Sequence, residues 1–185
     1  MNYFCLGLSR TGTLSLTEAM KILGFSTLHW SPERLREVIL HKKEINNWRI
    51  YDDVDFVSDI PAAIFYREIL SQYSNCKTIL TIRNENEWYK SVCKHYKIVN
   101  SRLSGLLLKE SLITQKYIYG SENPSSFLYK KKFRDHNDDV LRLFPNTLVM
   151  NICEGENWEK LCNFLNLPIP SVPFPHKNNS KNKIY

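Results

Sequence analysis

The sequence lacks the features that mark membrane and secreted proteins. Its longest apolar runs, near Ile79 and Leu106, are broken by charged residues before they reach the roughly 18 to 20 residues that a membrane helix needs. The N-terminus begins Asn2-Tyr3-Phe4, with no basic flank and no small-residue cleavage site, so no secretory signal is predicted. We therefore expect a globular protein without an integral membrane segment.

Cysteine and histidine are too sparse for a disulfide framework or a zinc site. The cysteine count of five is odd, no C-x-x-C pair occurs, and no histidine lies at metal-ligand spacing from a cysteine. Buried free thiols in a reducing compartment are the simplest interpretation, which favours the cytoplasm. No metal is expected. The five residues are Cys5, Cys76, Cys93, Cys153 and Cys162.

Positive charge is in modest excess. The 25 lysines and arginines exceed the 19 acidic residues and give a net charge of +6. This balance suits an anionic ligand, but it is too small and too evenly spread to predict nucleic-acid binding. The densest basic cluster, Lys130–Lys132, is followed closely by acidic residues and is interpreted as a solvated helix face.

Short apolar runs alternate with longer amphipathic segments along the chain. This alternation predicts a three-layer α/β/α fold with a central, mainly parallel sheet. Residues 1–175 are expected to form one domain, and residues 176–185 a flexible tail. The predicted strands are 3–8, 25–30, 54–58, 77–82 and 147–152. The predicted helices are 13–23, 31–43, 61–73, 85–97, 99–119, 126–143 and 158–165.

Ligands of such sheets bind at the carboxyl ends of the strands. The first of these ends leads into a loop that reads Gly7-Leu8-Ser9-Arg10-Thr11-Gly12-Thr13-Leu14-Ser15. Backbone N–H groups in a glycine-containing loop, together with the following helix N-terminus, form an anion cradle. Arg10 adds a charged donor, and three hydroxyls add further donors. A plain helix start, with Thr11 or Thr13 as N-cap, does not explain why these groups gather here.

Two better-known anion loops fit this segment poorly. Gly7 and Gly12 have the spacing of a Walker loop, but Thr13 replaces its lysine and Leu14 replaces its magnesium-binding hydroxyl. Cys5 and Arg10 are separated by four residues, whereas the tyrosine-phosphatase loop has five. A cysteine within the first strand is also expected to point into the core.

A second group follows the strand that ends near Ile82. Arg83 stands at the strand end, and Ser91 lies eight residues later, about two turns into the next helix and able to face back. The pair could bind one more phosphate. The alternative is that Arg83 forms a surface ion pair with Glu85 or Glu87.

Together the two motifs resemble those of sulfotransferases. The segment Arg10-Thr11-Gly12-Thr13 and the pair Arg83-x7-Ser91 are similar to the family's motifs for 3′-phosphoadenosine 5′-phosphosulfate (PAPS). The first motif binds the 5′-phosphosulfate in that family, and the second binds the 3′-phosphate. The resemblance covers most of the chain and is weakest over residues 97–146. Further similar segments are GLSRTGTLSL, SDIPAAIFYREIL, TILTIRNENEWYKSV, NWEKLCNFL and PFPHKN.

The resemblance implies a P-loop type of nucleotide-binding fold and an enzyme that moves a sulfuryl group from PAPS to a hydroxyl or amine. The acceptor would be a small molecule, a glycan or a lipid, and no metal is required because Arg10 and the loop amides take its place. Arg10 would also act catalytically on the leaving phosphate. The implied cofactor-binding residues are Ser9, Arg10, Thr11, Gly12, Thr13, Leu14, Ser15, Arg83 and Ser91. Leu14 departs from members that carry a second hydroxyl there.

The resemblance also implies a position for the catalytic base, where this sequence departs from the family's histidine. Cytosolic sulfotransferases use a histidine in a T-H-L-P segment, and the matching segment here reads Ser58-Asp59-Ile60-Pro61. Asp59 therefore occupies the position of the base; the alternatives are a helix N-cap and a contact that orients the acceptor. His29 and Glu18 are the other candidates. The rival functions are a non-catalytic nucleotide-binding or scaffold protein and a kinase-like enzyme.

The acceptor is not specified by these motifs. One apolar stretch either lines an acceptor cleft or packs as a helix against the body. Its residues are Leu103, Leu106, Leu107, Leu108, Leu112, Ile113 and Tyr117.

Overall fold

A computed structural model describes residues 2–31 and 33–177 of the 185-residue chain. Its five strands form one parallel sheet in the order β2-β3-β1-β4-β5. Their bounds are β1 (Tyr3–Cys5), β2 (Thr27–His29), β3 (Phe56–Ser58), β4 (Lys77–Thr81) and β5 (Leu148–Met150). All five predicted strands are confirmed, although each is shorter than predicted. The central strand, β1, lies between β3 and β4.

Seven α-helices connect or follow these strands within the described residues. They are α1 (Thr13–Ile22), α2 (Glu33–Ile39), α3 (Tyr66–Leu70), α4 (Glu85–Asn100), α5 (Gly105–Tyr119), α6 (Ser126–Leu143) and α7 (Trp158–Leu165). A short 3-10 helix (Ile152–Glu154) follows β5. The helix predicted over residues 61–73 is wrong in extent, because only α3 is helical there. Pro32, predicted in the first turn of α2, and residues 178–185 of the predicted tail lie outside the described residues.

Alternating side chains of the strands build a core on each face of the sheet. Phe4 and Leu80 pack in the core beneath α2, α4, α5 and α6, whereas Cys5 and Ile79 pack beneath α1 and α7. All four side chains are fully buried, and burying a large apolar side chain contributes about 1.5–3 kcal/mol. The three-layer α/β/α architecture is therefore confirmed.

An irregular segment between α2 and β3 contributes to the core without any regular element. Trp48 and Tyr51 are buried there, and the Tyr51 N–H donates to the hydroxyl of Tyr73 over 3.0 Å. Because the segment has neither a helical nor a strand period, periodicity gave no indication of this burial.

Helix α5 contains most of the apolar stretch for which two interpretations were open. Its C-terminal half is buried at Ile118 and Tyr119 and packs against α6, whereas Leu106, Leu107 and Tyr117 are exposed. The packed-helix interpretation therefore holds for the C-terminal half. No helix among the described residues is both long and apolar enough to cross a bilayer.

All five cysteines are free thiols. Cys5 and Cys162 are buried, Cys76 and Cys93 are partly exposed, and Cys153 is exposed. The prediction of buried thiols is thus wrong for Cys153, which lies in the 3-10 helix after β5.

Candidate functional site

The loop after β1 passes through a narrow space beside β4 that only glycine can fill. A Cβ atom on Gly7 would lie 2.0 Å from the Thr81 Oγ1 and 2.6 Å from the Thr81 carbonyl oxygen. Gly12 is the N-cap of α1, with a φ of 104° that side-chain-bearing residues rarely adopt. The alternative in which Thr11 or Thr13 caps α1 is therefore wrong. The glycines instead let the backbone run close to any bound anion.

Hydrogen bonds from buried groups fix the shape of this loop. The Thr11 hydroxyl donates to the Leu8 carbonyl over 2.7 Å and lies 2.6 Å from the Thr81 hydroxyl. The indole N–H of Trp88, on α4, donates to the Ser9 carbonyl over 3.1 Å. Our sequence analysis missed Trp88, although a buried tryptophan generally needs a partner for its N–H.

Arg10 joins the two motifs that the sequence placed far apart. Its Nε donates to the Ser91 Oγ over 3.3 Å, and the Arg83 Nη1 donates to the Arg10 carbonyl over 3.3 Å. Among the described residues, neither arginine forms an ion pair with a carboxylate. Burial, followed by the charge of Arg83, lowers the pKa of Arg10 below its usual value. The structure thus holds two neighbouring cations that form no direct ion pair among the described residues, which suits an anionic ligand.

The surface ion pair considered for Arg83 does not form. Glu85 pairs with Arg134 on α6, and Glu87 pairs with Lys90 within α4. Helix α4 is capped by Asn84, whose side chain accepts from the N–H groups of the second and third helical residues.

Asp59 accepts hydrogen bonds from the loop after β1 and is not a helix cap. One carboxylate oxygen accepts hydrogen bonds from the Ser9 hydroxyl and from the Ile60 N–H, and the other accepts from the Thr13 hydroxyl over 3.3 Å. The residue is 8% exposed. Helix α3 begins at Tyr66, well beyond Asp59, so the cap interpretation is wrong.

The two other candidate bases differ in their distance from Asp59. The His29 Nε2 lies 3.6 Å from Asp59 Oδ2, and the imidazole is mostly buried. Burial lowers the pKa of His29, while the Asp59 carboxylate opposes that shift. Glu18 pairs with Lys21 on the outer part of α1 over 2.9 Å. The structure therefore brings His29, and not Glu18, to the carboxylate.

Ser15 and Leu14, two residues of the predicted cofactor-binding loop, have surroundings that the sequence did not predict. The Ser15 hydroxyl accepts from the backbone N–H of Lys177 over 2.9 Å, so the chain near its C-terminus crosses the first turn of α1. Leu14 is half-buried and offers no polar atom of its own side chain. The contact with Lys177 was missed because nothing in the local sequence links two segments 162 residues apart.

Strained backbone conformations collect at this edge of the sheet. Among the described residues, five non-glycine residues have a positive φ, and three of them, Arg10, Trp30 and Asp59, follow β1, β2 and β3. Each such conformation costs about 1–3 kcal/mol and persists only where its surroundings enforce it. Strain of this kind is typical of functional sites, so its location agrees with the convergence of polar groups.

A buried tyrosine lies close to Asp59 and Ser9. Tyr119, at the end of α5, has no hydrogen-bond partner of normal geometry for its hydroxyl among the described residues. Burial raises its pKa well above the usual value, and Asp59 and Ser9 are near enough to influence that pKa. This residue was missed because only the packing of α5 brings it here.

Metal-ligand clusters are absent from the described residues, and Cys5 is buried in the core. The described residues contain no cluster of three or more histidine, cysteine or acidic residues able to hold a metal ion. Cys5 is fully buried 3.6 Å from the Thr81 hydroxyl, and burial raises the pKa of its thiol to about 11. The core position expected for Cys5 is confirmed, which removes the likeness to phosphatases.

Comparison with known families agrees with this arrangement. A family model described as a sulfotransferase domain matches residues 3–183. The chain belongs to the sulfotransferase family. It is also similar to Ava biosynthesis cluster protein M of Aspergillus versicolor, with 28% identity over an alignment 218 positions long. That alignment covers 95% of this chain and 80% of the relative, so the similarity extends over the whole α/β fold.

Membership of the sulfotransferase family agrees with the parallel α/β sheet and supports a function of the sulfotransfer type. In this sulfotransferase, β1, β3 and β4 end at the same edge of the sheet. The glycine loop, the two arginine motifs and Asp59 lie at that edge.

Proposed function

We propose that this sulfotransferase moves a sulfuryl group from PAPS to a hydroxyl or amine of an acceptor. The observation that carries the proposal is the pair of contacts from Arg10 to the Ser91 hydroxyl and from Arg83 to the Arg10 carbonyl. They bring two arginines together, and neither forms an ion pair with a carboxylate among the described residues. A donor with a 5′-phosphosulfate and a 3′-phosphate supplies two anionic groups for such a site.

The residues present fit the donor. The backbone around Gly7 and Gly12 can approach a phosphosulfate closely, and the N-terminus of α1 adds its unpaired N–H groups. Arg10 would bind the bridge between phosphate and sulfate, while Arg83 and Ser91 would bind the 3′-phosphate. The cations then stabilise the charge that develops on the leaving phosphate, which lowers the barrier by electrostatic preorganisation.

Asp59 is proposed to receive the proton of the acceptor hydroxyl. The carboxylate is nearly buried, yet its side chain remains 12% exposed beside Ser9, at the mouth of the loop. An acceptor oxygen placed against Asp59 would therefore stand next to the phosphosulfate loop. Holding both reactants in this geometry supplies much of the rate enhancement.

Trp30 supports an acceptor with an aromatic or apolar portion. Its backbone N–H donates to the Ser58 carbonyl over 3.1 Å, which fixes it one residue from Asp59 across the strand ends. The side chain is 57% exposed, whereas Trp48, Trp88 and Trp158 are all buried. An exposed indole beside a reactive carboxylate offers a flat surface for a ring to pack on.

Calorimetric titration tests the donor. We expect 3′-phosphoadenosine 5′-phosphate to bind more tightly than ATP, because Thr13 and Leu14 replace the lysine and the hydroxyl that a kinase uses. Equal or tighter binding of ATP would favour the kinase-like alternative. Binding of the bisphosphate without transfer of radiolabelled sulfate to any phenol, sterol, sugar or amine would favour a non-catalytic nucleotide-binding protein.

Thiol labelling provides a second measurement that does not need an acceptor. Cys153 is the exposed thiol, and the charges of Arg83 and Arg10 oppose the rise of its pKa that partial desolvation causes. Because it lies within electrostatic reach of both arginines, a bound bisphosphate should slow its reaction with a disulfide reagent. The variant Cys153→Ser identifies the labelled site.

A further inference from the structure

The hydrogen bonds around His29 determine which of its nitrogens carries the proton. The Thr17 hydroxyl donates to the Thr13 carbonyl over 2.9 Å, and this uses its single hydrogen. The Ser58 Oγ lies 2.7 Å from the Thr17 Oγ1, and with the Thr17 hydrogen on the Thr13 carbonyl we assign Ser58 as the donor in that contact. The single hydroxyl hydrogen of Ser58 therefore points to Thr17 and cannot be donated to another atom.

The position of the Ser58 hydrogen decides which nitrogen of the imidazole is protonated. The His29 Nδ1 lies 2.8 Å from the Ser58 Oγ, and since Ser58 has no hydrogen left, the Nδ1–H donates. A neutral imidazole protonated at Nδ1 has its lone pair on Nε2. That lone pair faces Asp59 Oδ2 at 3.6 Å, so two proton acceptors stand opposite each other with no proton between them.

Asp59 and His29 differ in how many donors they already have. The Asp59 oxygens accept hydrogen bonds from the Ser9 and Thr13 hydroxyls and from the Ile60 N–H. The lone pair of His29 Nε2, in contrast, accepts from no donor among the described residues. The free lone pair of His29 is therefore the better final acceptor of a proton that arrives at Asp59.

We propose that His29 stores the proton which Asp59 takes from the acceptor hydroxyl during sulfuryl transfer, an inference that rests on the proposed function. The acceptor oxygen forms the new bond to sulfur, and the bond between sulfur and the bridging oxygen of the donor breaks. Its electron pair stays on the leaving phosphate. The hydroxyl proton passes from the acceptor to Asp59 and on to His29 Nε2, leaving an imidazolium beside a carboxylate, and later reaches solvent through the partly exposed ring.

The groups that face His29 come from two elements. Helix α1 contributes Thr17, together with the charges of Lys21 and Glu18, and the end of β3 contributes Ser58 and Asp59. Burial and Lys21 disfavour the imidazolium, whereas Asp59 and Glu18 favour it. The charge of Asp59 is therefore the chief group that stabilises the protonated ring, and burial of the ring favours release of the proton once the reaction is over.

Nitrogen NMR of the histidine rings tests the resting state directly, without an acceptor. We expect His29 to be the Nδ1–H tautomer at pH 7.5, with the signal assigned by its loss in His29→Asn. His136 is an internal control of the opposite kind, because its Nε2 lies 2.7 Å from the Leu6 carbonyl and must carry the proton. The His29 titration midpoint should lie below 6.5 and fall further in Asp59→Asn. An Nε2–H tautomer, or a midpoint indifferent to Asp59→Asn, overturns the inference.

Kinetics test the role in turnover. In His29→Asn, and in His29→Gln as a second variant, we expect kcat to fall by roughly 10- to 100-fold while the KM for PAPS changes less than about twofold. The wild type should lose kcat as the pH falls through the lowered pKa of His29, because a protonated ring cannot take up a further proton, and this acidic limb should disappear in both variants. His41→Asn, at an exposed position after α2, is the matched control and should behave as the wild type. Persistence of the acidic limb in the His29 variants contradicts proton storage there.

Failure of the proposed function can be distinguished from failure of the His29 proposal. If the wild type does not bind 3′-phosphoadenosine 5′-phosphate, the donor assignment is wrong whatever the tautomer of His29. If it binds the nucleotide and transfers sulfate, but His29→Asn keeps the acidic limb, then the donor assignment stands and the proton store is wrong.

Discussion

The Nε of Arg10 donates to the hydroxyl of Ser91 over 3.3 Å, across 81 residues of sequence. This contact links the loop after β1 to the second turn of α4, so the two parts of the proposed donor site touch in this structure. The Arg83 side chain, at the end of β4, donates to the Arg10 carbonyl. Side chains from both motifs therefore preorganise the proposed donor site.

Replacement of Arg10 should damage turnover more than any other loop change. We expect Arg10→Ala to lower kcat by roughly 10²- to 10³-fold, because a charge that acts on the leaving phosphate contributes mainly in the transition state. Radiolabelled sulfate transfer at saturating PAPS measures this loss. Arg49→Ala, which removes an exposed ion pair with Asp52, is a control for charge alone. A change in melting temperature with an unaltered kcat would show that Arg10 has only a structural role.

Replacement of Arg83 should affect binding selectively. A hydrogen bond to a charged group contributes about 1.5–3 kcal/mol, and about 1.4 kcal/mol corresponds to tenfold in Kd. Arg83→Ala should therefore weaken 3′-phosphoadenosine 5′-phosphate by roughly 10- to 100-fold in calorimetry. Adenosine 5′-phosphosulfate, which lacks the 3′-phosphate, should lose far less. Ser91→Ala should follow the same pattern with a smaller loss, and equal losses for both nucleotides would refute the assignment.

These two arginines could be located from the sequence because the rule that places them is topological. Parallel strands end at one edge of their sheet, so residues directly after β1 and β4 had to lie near each other once those strands were recognised. The same logic placed Asp59 after β3. Local periodicity was sufficient for the strands, since each is a short apolar run with buried side chains.

The remaining parts of the site depend on packing that no local pattern contains. Trp88 reaches Ser9 because of the angle at which α4 lies on the sheet, and Tyr119 arrives through the packing of α5. The hydrogen-bonded chain from Thr17 through Ser58 to His29 joins three elements, and each of its members alone is an ordinary polar residue. The sequence predicted a helix from residue 61, but the structure has none between Asp59 and Tyr66. The segment is apolar throughout and has no clear stop signal, so the pattern did not reveal this.

Trp30 provides a prediction for the acceptor side. We expect Trp30→Ala to raise the KM for phenolic acceptors by roughly tenfold, since it removes an exposed ring against which an acceptor ring could stack. Trp30→Phe should recover part of the affinity, and binding of 3′-phosphoadenosine 5′-phosphate should not change.

Fluorescence gives an independent measurement of the same contact. Trp30 is the exposed member of the four tryptophans, so it should dominate quenching by acrylamide. A saturating phenol should protect it from the quencher in the presence of the bisphosphate. An unchanged KM in Trp30→Ala, together with unaltered quenching, would place the acceptor elsewhere.

Asp59→Asn separates proton transfer from loop architecture. Asparagine has the same shape, and its carbonyl oxygen can still accept from Ser9 and from the Ile60 N–H, so folding and nucleotide affinity should remain close to those of the wild type. Its amide cannot accept a proton, so kcat should fall by roughly 10² or more. Thermal unfolding and calorimetry with the bisphosphate verify the first expectation, and radiolabelled sulfate transfer measures the second.

Combining this change with His29→Asn asks whether the two residues act on one proton. If the proton passes from Asp59 to His29, the double variant should be about as slow as Asp59→Asn alone. Without Asp59 no proton reaches position 29, so the loss of His29 has no further effect. Two residues acting independently would instead give losses that multiply, as distant and uncoupled sites do. The 3.6 Å between His29 Nε2 and Asp59 Oδ2 favours the coupled result. Full activity of Asp59→Asn would remove both residues from the chemistry and leave Asp59 as a structural anchor of the Ser9 loop.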